Sequence, residues 1–167
     1  EIISRQVKEA LATLKSRVRL ERDSANSIHT ELRRLWEDDF ETTSARINEP
    51  DCKELCWESI EEYIWPAVSS IDVMEVNGRA GDILEYDARK EEGLNVIAIG
   101  GDKLSRGLTL EGLSVSYFLR ASRMYDTLMQ MGRWFGYRDK YLDVCRLYTS
   151  GDMIQWFGHI ADAAEEL

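Results

Sequence analysis

The stretch that decides the fold is residues 95–138, NVIAIGGDKLSRGLTLEGLSVSYFLRASRMYDTLMQMGRWFGYR. Val96-Ile97-Ala98-Ile99 is an unbroken apolar run stopped by Gly100-Gly101. That is how a strand buried on both faces of a parallel sheet reads. Glycines at the carboxyl end of a strand let the backbone approach a ligand, and amides exposed there can hold phosphate oxygens. In open α/β sheets the same edge is where ligands bind. Lys103, Ser105, Arg106 and Gly107 follow directly. A second strand is predicted over Leu113–Leu119, then a helix over Met124–Phe135 with Asp126 near its start. Gln130, Arg133 and Arg138 sit on or just after that helix, where an arginine fork can reach a nucleotide phosphate. The residues leave a plainer alternative open. Gly-Gly can be only a turn, and Arg133 or Arg138 can pair with Asp126 or Asp139. Trp134, Phe135 and Tyr137 fit a core or an interface better than base stacking.

Working outward, Ile71–Val76 is a β-prone run stopped by Asn77-Gly78, and Gly81–Arg89 suits a short helix. Val144–Tyr148 reads as a strand and Asp152–Glu165 as a closing amphipathic helix. Strands alternating with helices predict an α/β layered domain, a parallel sheet flanked by helices, over residues 67–167. Residues 1–66 read as a helical part. Val7, Leu11, Leu14 and Val18 recur at helical spacing, as do Ile28, Leu32, Leu35 and Trp36. The polar break Asp23-Ser24-Ala25-Asn26 predicts a division, with Asp23 or Ser24 as N-cap. A polar connection is expected from Asp38 to Pro50. A third helix is expected behind Asp51, whose spacing to Glu54 is that of a capping box. Its apolar stripe is Cys52, Cys56, Ile60, Tyr63 and Ile64, and Pro66 marks its end.

Composition sets the outer limits. The chain has 167 residues, 44% hydrophobic and 31% charged, which is globular rather than disordered. No apolar run approaches the ~20 residues of a membrane span, and no secretory leader is visible. The chain opens on Glu1 rather than Met, so a piece of a longer protein is expected. The net charge of −10 argues against a chain-wide nucleic-acid surface but conceals two opposite regions. Residues 35–62 carry ten acids against Arg46 and Lys53, a local net of −8. Residues 103–146 carry eight Lys and Arg against four acids, a local net of +4.

Three cysteines, Cys52, Cys56 and Cys145, indicate a reducing compartment, the cytoplasm, rather than a disulfide framework. Cys52 and Cys56 have a spacing that could supply two metal ligands. His29 and His159 are far off in sequence, so no metal site is expected and both cysteines are read as small core residues. Pro50-Asp51-Cys52-Lys53 has the look of a PD…(D/E)xK nuclease start, but no acid-x-Lys pair follows at useful spacing. No His-x-Lys pair occurs either, so no cleavage centre is visible.

The order strand, Arg-Gly, strand, helix with Gln and Gly-Arg resembles motifs V and VI of the second RecA-like domain of superfamily 2 helicases. The wording GGDKLSRGLTLEGL, SYFLR, YDTLMQMGRWFGYR and CRLY resembles the Z1 domain more closely still, over about residues 71–149. That family occurs in bacterial proteins with a helicase-type ATPase, often linked to restriction and other DNA-processing systems with endonuclease activity. The resemblance implies a RecA-like domain of the helicase C-terminal type. It places Ser105, Arg106 and Gly107 at the motif V turn, which links nucleotide to nucleic acid, with Gly101 and Lys103 on the DNA side. Thr109 stands where many such helicases have Asp. Arg133 follows Gly132 as the first arginine of motif VI, while Gln130 and Arg138 are displaced from the usual spacing. The arginine finger is therefore Arg133 or Arg138. Gly107, Thr109, Gln130, Arg133 and Arg138 are the implied nucleotide contacts.

No G-x-x-x-x-G-K-[ST] loop occurs in the chain, and no Asp-Glu pair follows a buried strand. The resemblance therefore implies that ATP and Mg2+ are held chiefly by a partner RecA-like ATPase domain, N-terminal in the full protein, with DNA as the second partner. A different expectation gives the helical part the work. Acidic, and with Trp36 and Trp57 as candidates for exposure, it would dock a nuclease or methyltransferase subunit without catalysis of its own. A RecA-like scaffold without a ligand is the third possibility.

Overall fold

The computed structural model describes residues 2–21, 26–47, 55–76, 93–100, 112–118 and 141–165. In chain order its elements are α1 (Ile2–Leu20), α2 (Ile28–Leu35), a π-helical turn (Trp36–Glu41), α3 (Thr42–Ile47) and α4 (Trp57–Ser69). There follow β1 (Asp72–Val76), β2 (Val96–Gly100), β3 (Val115–Tyr117), a 3-10 turn (Leu142–Val144), β4 (Arg146–Tyr148) and α5 (Gly151–Glu165). They belong to two compact units, Glu1–Leu104 and Ser105–Leu167. The fold is mixed α/β, and each unit holds one two-stranded parallel sheet among the described residues. No helix among the described residues is long and apolar enough to cross a membrane.

In the first unit, α1 turns its predicted stripe inward, and Val18 is buried. Arg17 and Arg19 lie in its last turn, where cations complement the helix dipole. The expected break before α2 is present, but the cap is Ser27; Asp23 and Ser24 lie outside the described residues. Ser27 is extended (φ −71°, ψ 156°), and its Oγ accepts the Thr30 amide at 3.3 Å. It immediately precedes the periodic run, so its hydroxyl is in place for the first free amides. The Glu21 carboxylate accepts a second, from Ile28, at 3.2 Å.

Two side chains tie the helices together. The His29 ring lies between the Val18 carbonyl (Nε2, 3.0 Å) and the Glu61 carboxylate (Nδ1, 3.1 Å), so α2 is linked to both α1 and α4. Lys15 on α1 donates through Nζ to the Ser69 carbonyl at 2.9 Å and the Ile71 carbonyl at 2.8 Å. It thus binds the carbonyl end of α4 and the entry to β1.

The segment expected as a polar connection from Asp38 is instead helical through Ile47. Nothing between Trp36 and Ile47 is glycine or proline, so nothing stops propagation. Trp36 stacks on Phe40 at 6.2 Å, and Arg33 pairs with Glu37 at 2.8 Å. The Thr42 hydroxyl donates to the Glu37 carbonyl five residues back, within the widened turn.

α4 also departs from expectation. Its N-cap is Cys56, and Asp51, Cys52 and Glu54 lie outside the described residues. The inward stripe is Trp57, Ile60, Ile64 and Val68; Cys56 and Tyr63 are exposed. Trp57 has far more apolar surface to bury than Cys56, and this sets the rotation of the helix. Pro66 does not end it. Proline removes one backbone bond, but the last turn is held by Ser69 Oγ to the Pro66 carbonyl (3.0 Å) and Ser70 Oγ to the Ala67 carbonyl (2.8 Å). Lys15 secures it further.

β1 and β2 pair in parallel with Asp72 opposite Val96 and Val76 opposite Gly100. The Asp72 amide donates to the Asn95 carbonyl at 3.0 Å, and Asn95 Nδ2 donates to Ser70 Oγ at 2.8 Å. Gly93, at φ 74°, turns the chain into β2 in a conformation that glycine takes at little cost. Val76 is buried, but Ile97 is 37% exposed, so the expectation of β2 buried on both faces is not met. In this register Ile97 and Ile99 share a face with Glu75 of β1.

In the second unit, β3 and β4 pair in parallel with Val115 opposite Arg146 and Tyr117 opposite Tyr148. Both strands are shorter than predicted. The chain before β4 folds into a 3-10 turn, and the Arg146 guanidinium donates to the Asp143 carbonyl at 2.6 Å and the Cys145 carbonyl at 2.9 Å. α5 presents Met153, Trp156, Phe157 and Ile160 along one stripe, and Phe118 packs against it. Met153 is fully buried.

Met153→Ala should lower unfolding stability by about 2–5 kcal/mol through lost burial and the cavity left behind. Urea titration followed by tryptophan emission, with Trp156 beside the site, checks this. Glu21 gives a pH test. Its hydrogen bond from Arg17, aided by the Ile28 amide, holds its carboxyl below the usual range although partial burial opposes this. A lowered carboxyl pKa stabilises the fold above the ordinary carboxylate range and ceases to do so as pH falls through the lowered value. The stability gap between wild type and Glu21→Gln should be steady near neutral pH and shrink in acid, as read from urea midpoints across pH.

Candidate functional site

The parallel register places the carboxyl ends of β1 and β2 together, since Val76 pairs with Gly100. Both strands therefore end at one edge of the sheet. Gly100 is exposed at that edge. The expected nucleotide and nucleic-acid contacts Gly101, Lys103, Ser105, Arg106, Gly107, Thr109, Gln130, Arg133 and Arg138 are all outside the described residues. What the fold supplies is their anchoring along the chain. Residues 101–111 run from the end of β2 to Gly112, whose φ of 93° turns the chain toward β3. Residues 119–140 run from the end of β3 to Tyr141.

The second unit has its own flush edge. Tyr117 and Tyr148 pair there, and the Phe118 amide donates to the Tyr148 carbonyl at 2.8 Å. Residues in direct register share a face, so Val115, Tyr117 and Tyr148 lie together opposite the Phe118 side. They are 52%, 74% and 50% exposed. The sequence reading named none of the three as surface residues. The period of two puts Val115 and Tyr117 on one face and Phe118 on the other, and only packing of Phe118 against α5 decides which face is covered. Thr149, Ser150 and Gly151 then lead into α5, where the Ser150 carbonyl accepts the Ile154 amide at 3.1 Å.

The electrostatics of the described part are those of a braced helical cluster. Arg17 contacts Glu21 at 3.1 Å and Glu31 at 2.8 Å. These hydrogen bonds, Glu31 first, raise the pKa of the guanidinium. Arg33 is raised likewise by Glu37. Glu58, near the start of α4, is held below the usual carboxylate range by its own backbone amide and then by Cys56.

Among the described residues no group of three His, Cys, Asp or Glu could hold a metal ion. His29 is engaged by Val18 and Glu61. Cys56 and Cys145 are free thiols, and the expectation that Cys56 is a core residue is corrected, because Trp57 takes that place. The expectation of exposed tryptophans is corrected too. Trp57 is 8% exposed, and Trp36 is half-buried against Phe40.

A family model described as the Z1 domain matches residues 1–167. The chain belongs to the Z1 domain family. The match takes in the helices before residue 67, beyond the 71–149 segment that carries the resemblance in wording, so α1–α4 are part of the Z1 domain. No curated protein and no solved structure matches the chain.

The exposure of Cys56 yields a direct test. With Cys52 replaced by serine, a maleimide should label Cys56 faster than the half-buried Cys145, and Cys56→Ser should remove that component. Excess zinc should leave the Cys56 rate unchanged; protection by zinc would show a thiolate metal site that the fold reading omits.

Proposed function

We propose that this Z1 domain is the second motor domain, RecA-like in fold, of an ATP-dependent DNA translocase or helicase-like protein in a restriction or other DNA-processing system. The observation that carries the reading is the flush carboxyl edge of β1 and β2, from which Gly100 leads into Gly101-Asp102-Lys103-Leu104-Ser105-Arg106-Gly107. A glycine-bearing segment leaving that edge of a parallel sheet is suited to phosphate contact. Membership of the Z1 family supports the same reading.

In this mechanism the chain closes on a Walker-bearing domain with ATP between them. Gly107, Thr109 and Gln130 contact the nucleotide. Arg133 or Arg138 supplies a guanidinium to the charge that develops on the γ-phosphoryl oxygens, stabilising the transition state more than the ground state. Gly101, Lys103, Ser105 and Arg106 meet the DNA backbone, so that closure on ATP is coupled to a grip on DNA. Mg2+ is assigned to the Walker-bearing domain, since no Walker-type loop and no Asp-Glu pair after a buried strand occur in the sequence. The alternative is a docking module for a nuclease or methyltransferase subunit on the acidic helical part, of whose two candidate tryptophans Trp57 lies in the core.

In the full-length protein, alanine at both Arg133 and Arg138 should lower DNA-stimulated ATP hydrolysis by about a thousandfold or more. Unchanged turnover would remove the assignment. The single variants should identify the finger, since only one should reproduce the full loss. Purified residues 1–167 should bind ATP weakly and show no turnover in a phosphate-release assay. Turnover that disappears in Arg133→Ala would mean that the chain is a complete ATPase.

A further inference from the structure

We draw no further inference here: the strongest candidate, the exposed Val115, Tyr117 and Tyr148 face of the β3–β4 sheet, is an apolar surface on the side away from Phe118, and nothing among the described residues shows what covers it.

Discussion

Parallel strand pairing is the constraint on which the rest of this structure depends. An antiparallel pair can be closed by two residues, whereas a parallel pair needs a crossover of roughly a dozen or more. Both sheets here are parallel, so the chain must return to the starting end of each sheet before the next strand. That requirement explains the long stretches between β1 and β2 and between β3 and β4. It also sends the ends of paired strands out at a common edge. Gly100 and Val76 finish together for this reason, and the glycine-rich segment begins at the place where a parallel sheet can offer amides to a ligand.

The helical cluster makes that edge possible by fixing where β1 begins. Lys15 joins α1 to the last carbonyl of α4 and to Ile71, one residue before the strand. Asn95 joins the start of β2 to the same corner through Ser70 and Asp72. His29 locks α2 between the other two helices. Register in a short pair is set by such anchors, because a slip of one residue would exchange the two faces. A slip here would bring Ile97 to the side of Val76 and turn Ala98 away.

The two sheet faces show how far pattern reading reaches. The existence of β1, β2, β3, β4 and α5 follows from apolar runs and their stops, and each lies where the sequence indicates within a few residues. The rotation of α4 does not follow. Cys56-Ile60-Tyr63-Ile64 and Trp57-Ile60-Ile64-Val68 are both apolar stripes at helical spacing, and periodicity treats them as equals. Burial chooses the second, because Trp57 removes more apolar area from water than Cys56. Pro66 misleads for a related reason. A proline signals a helix end through its missing amide, yet Lys15, fifty-four or more residues earlier in the chain, stabilises the following turn. Long-range partners of this kind leave no trace in a local window. The candidate site is legible as a motif and as a position after β2, whereas the proposed grouping of Arg133 and Arg138 around a nucleotide would depend on tertiary arrangement, which no spacing rule encodes.

Charge follows the same division of labour. Much of the acidity of the helical part is used internally, with Glu21 and Glu31 on Arg17, Glu37 on Arg33 and Glu61 on His29. What remains outward includes the carboxylates of Asp38, Glu41, Glu58 and Glu62, along with the bases Arg5, Lys8, Arg19 and Arg34. The carboxylates repel a polyanion at ranges up to about a Debye length, about 10 Å at 0.1 M salt. The stretch that carries Lys103, Ser105 and Arg106 in the proposed function, residues 103–146, has the opposite sign, with a net charge of +4. The same stretch contains the segment leaving β2. The proposed function thus rests on motif, sheet edge and sign of charge falling in the same part of the chain.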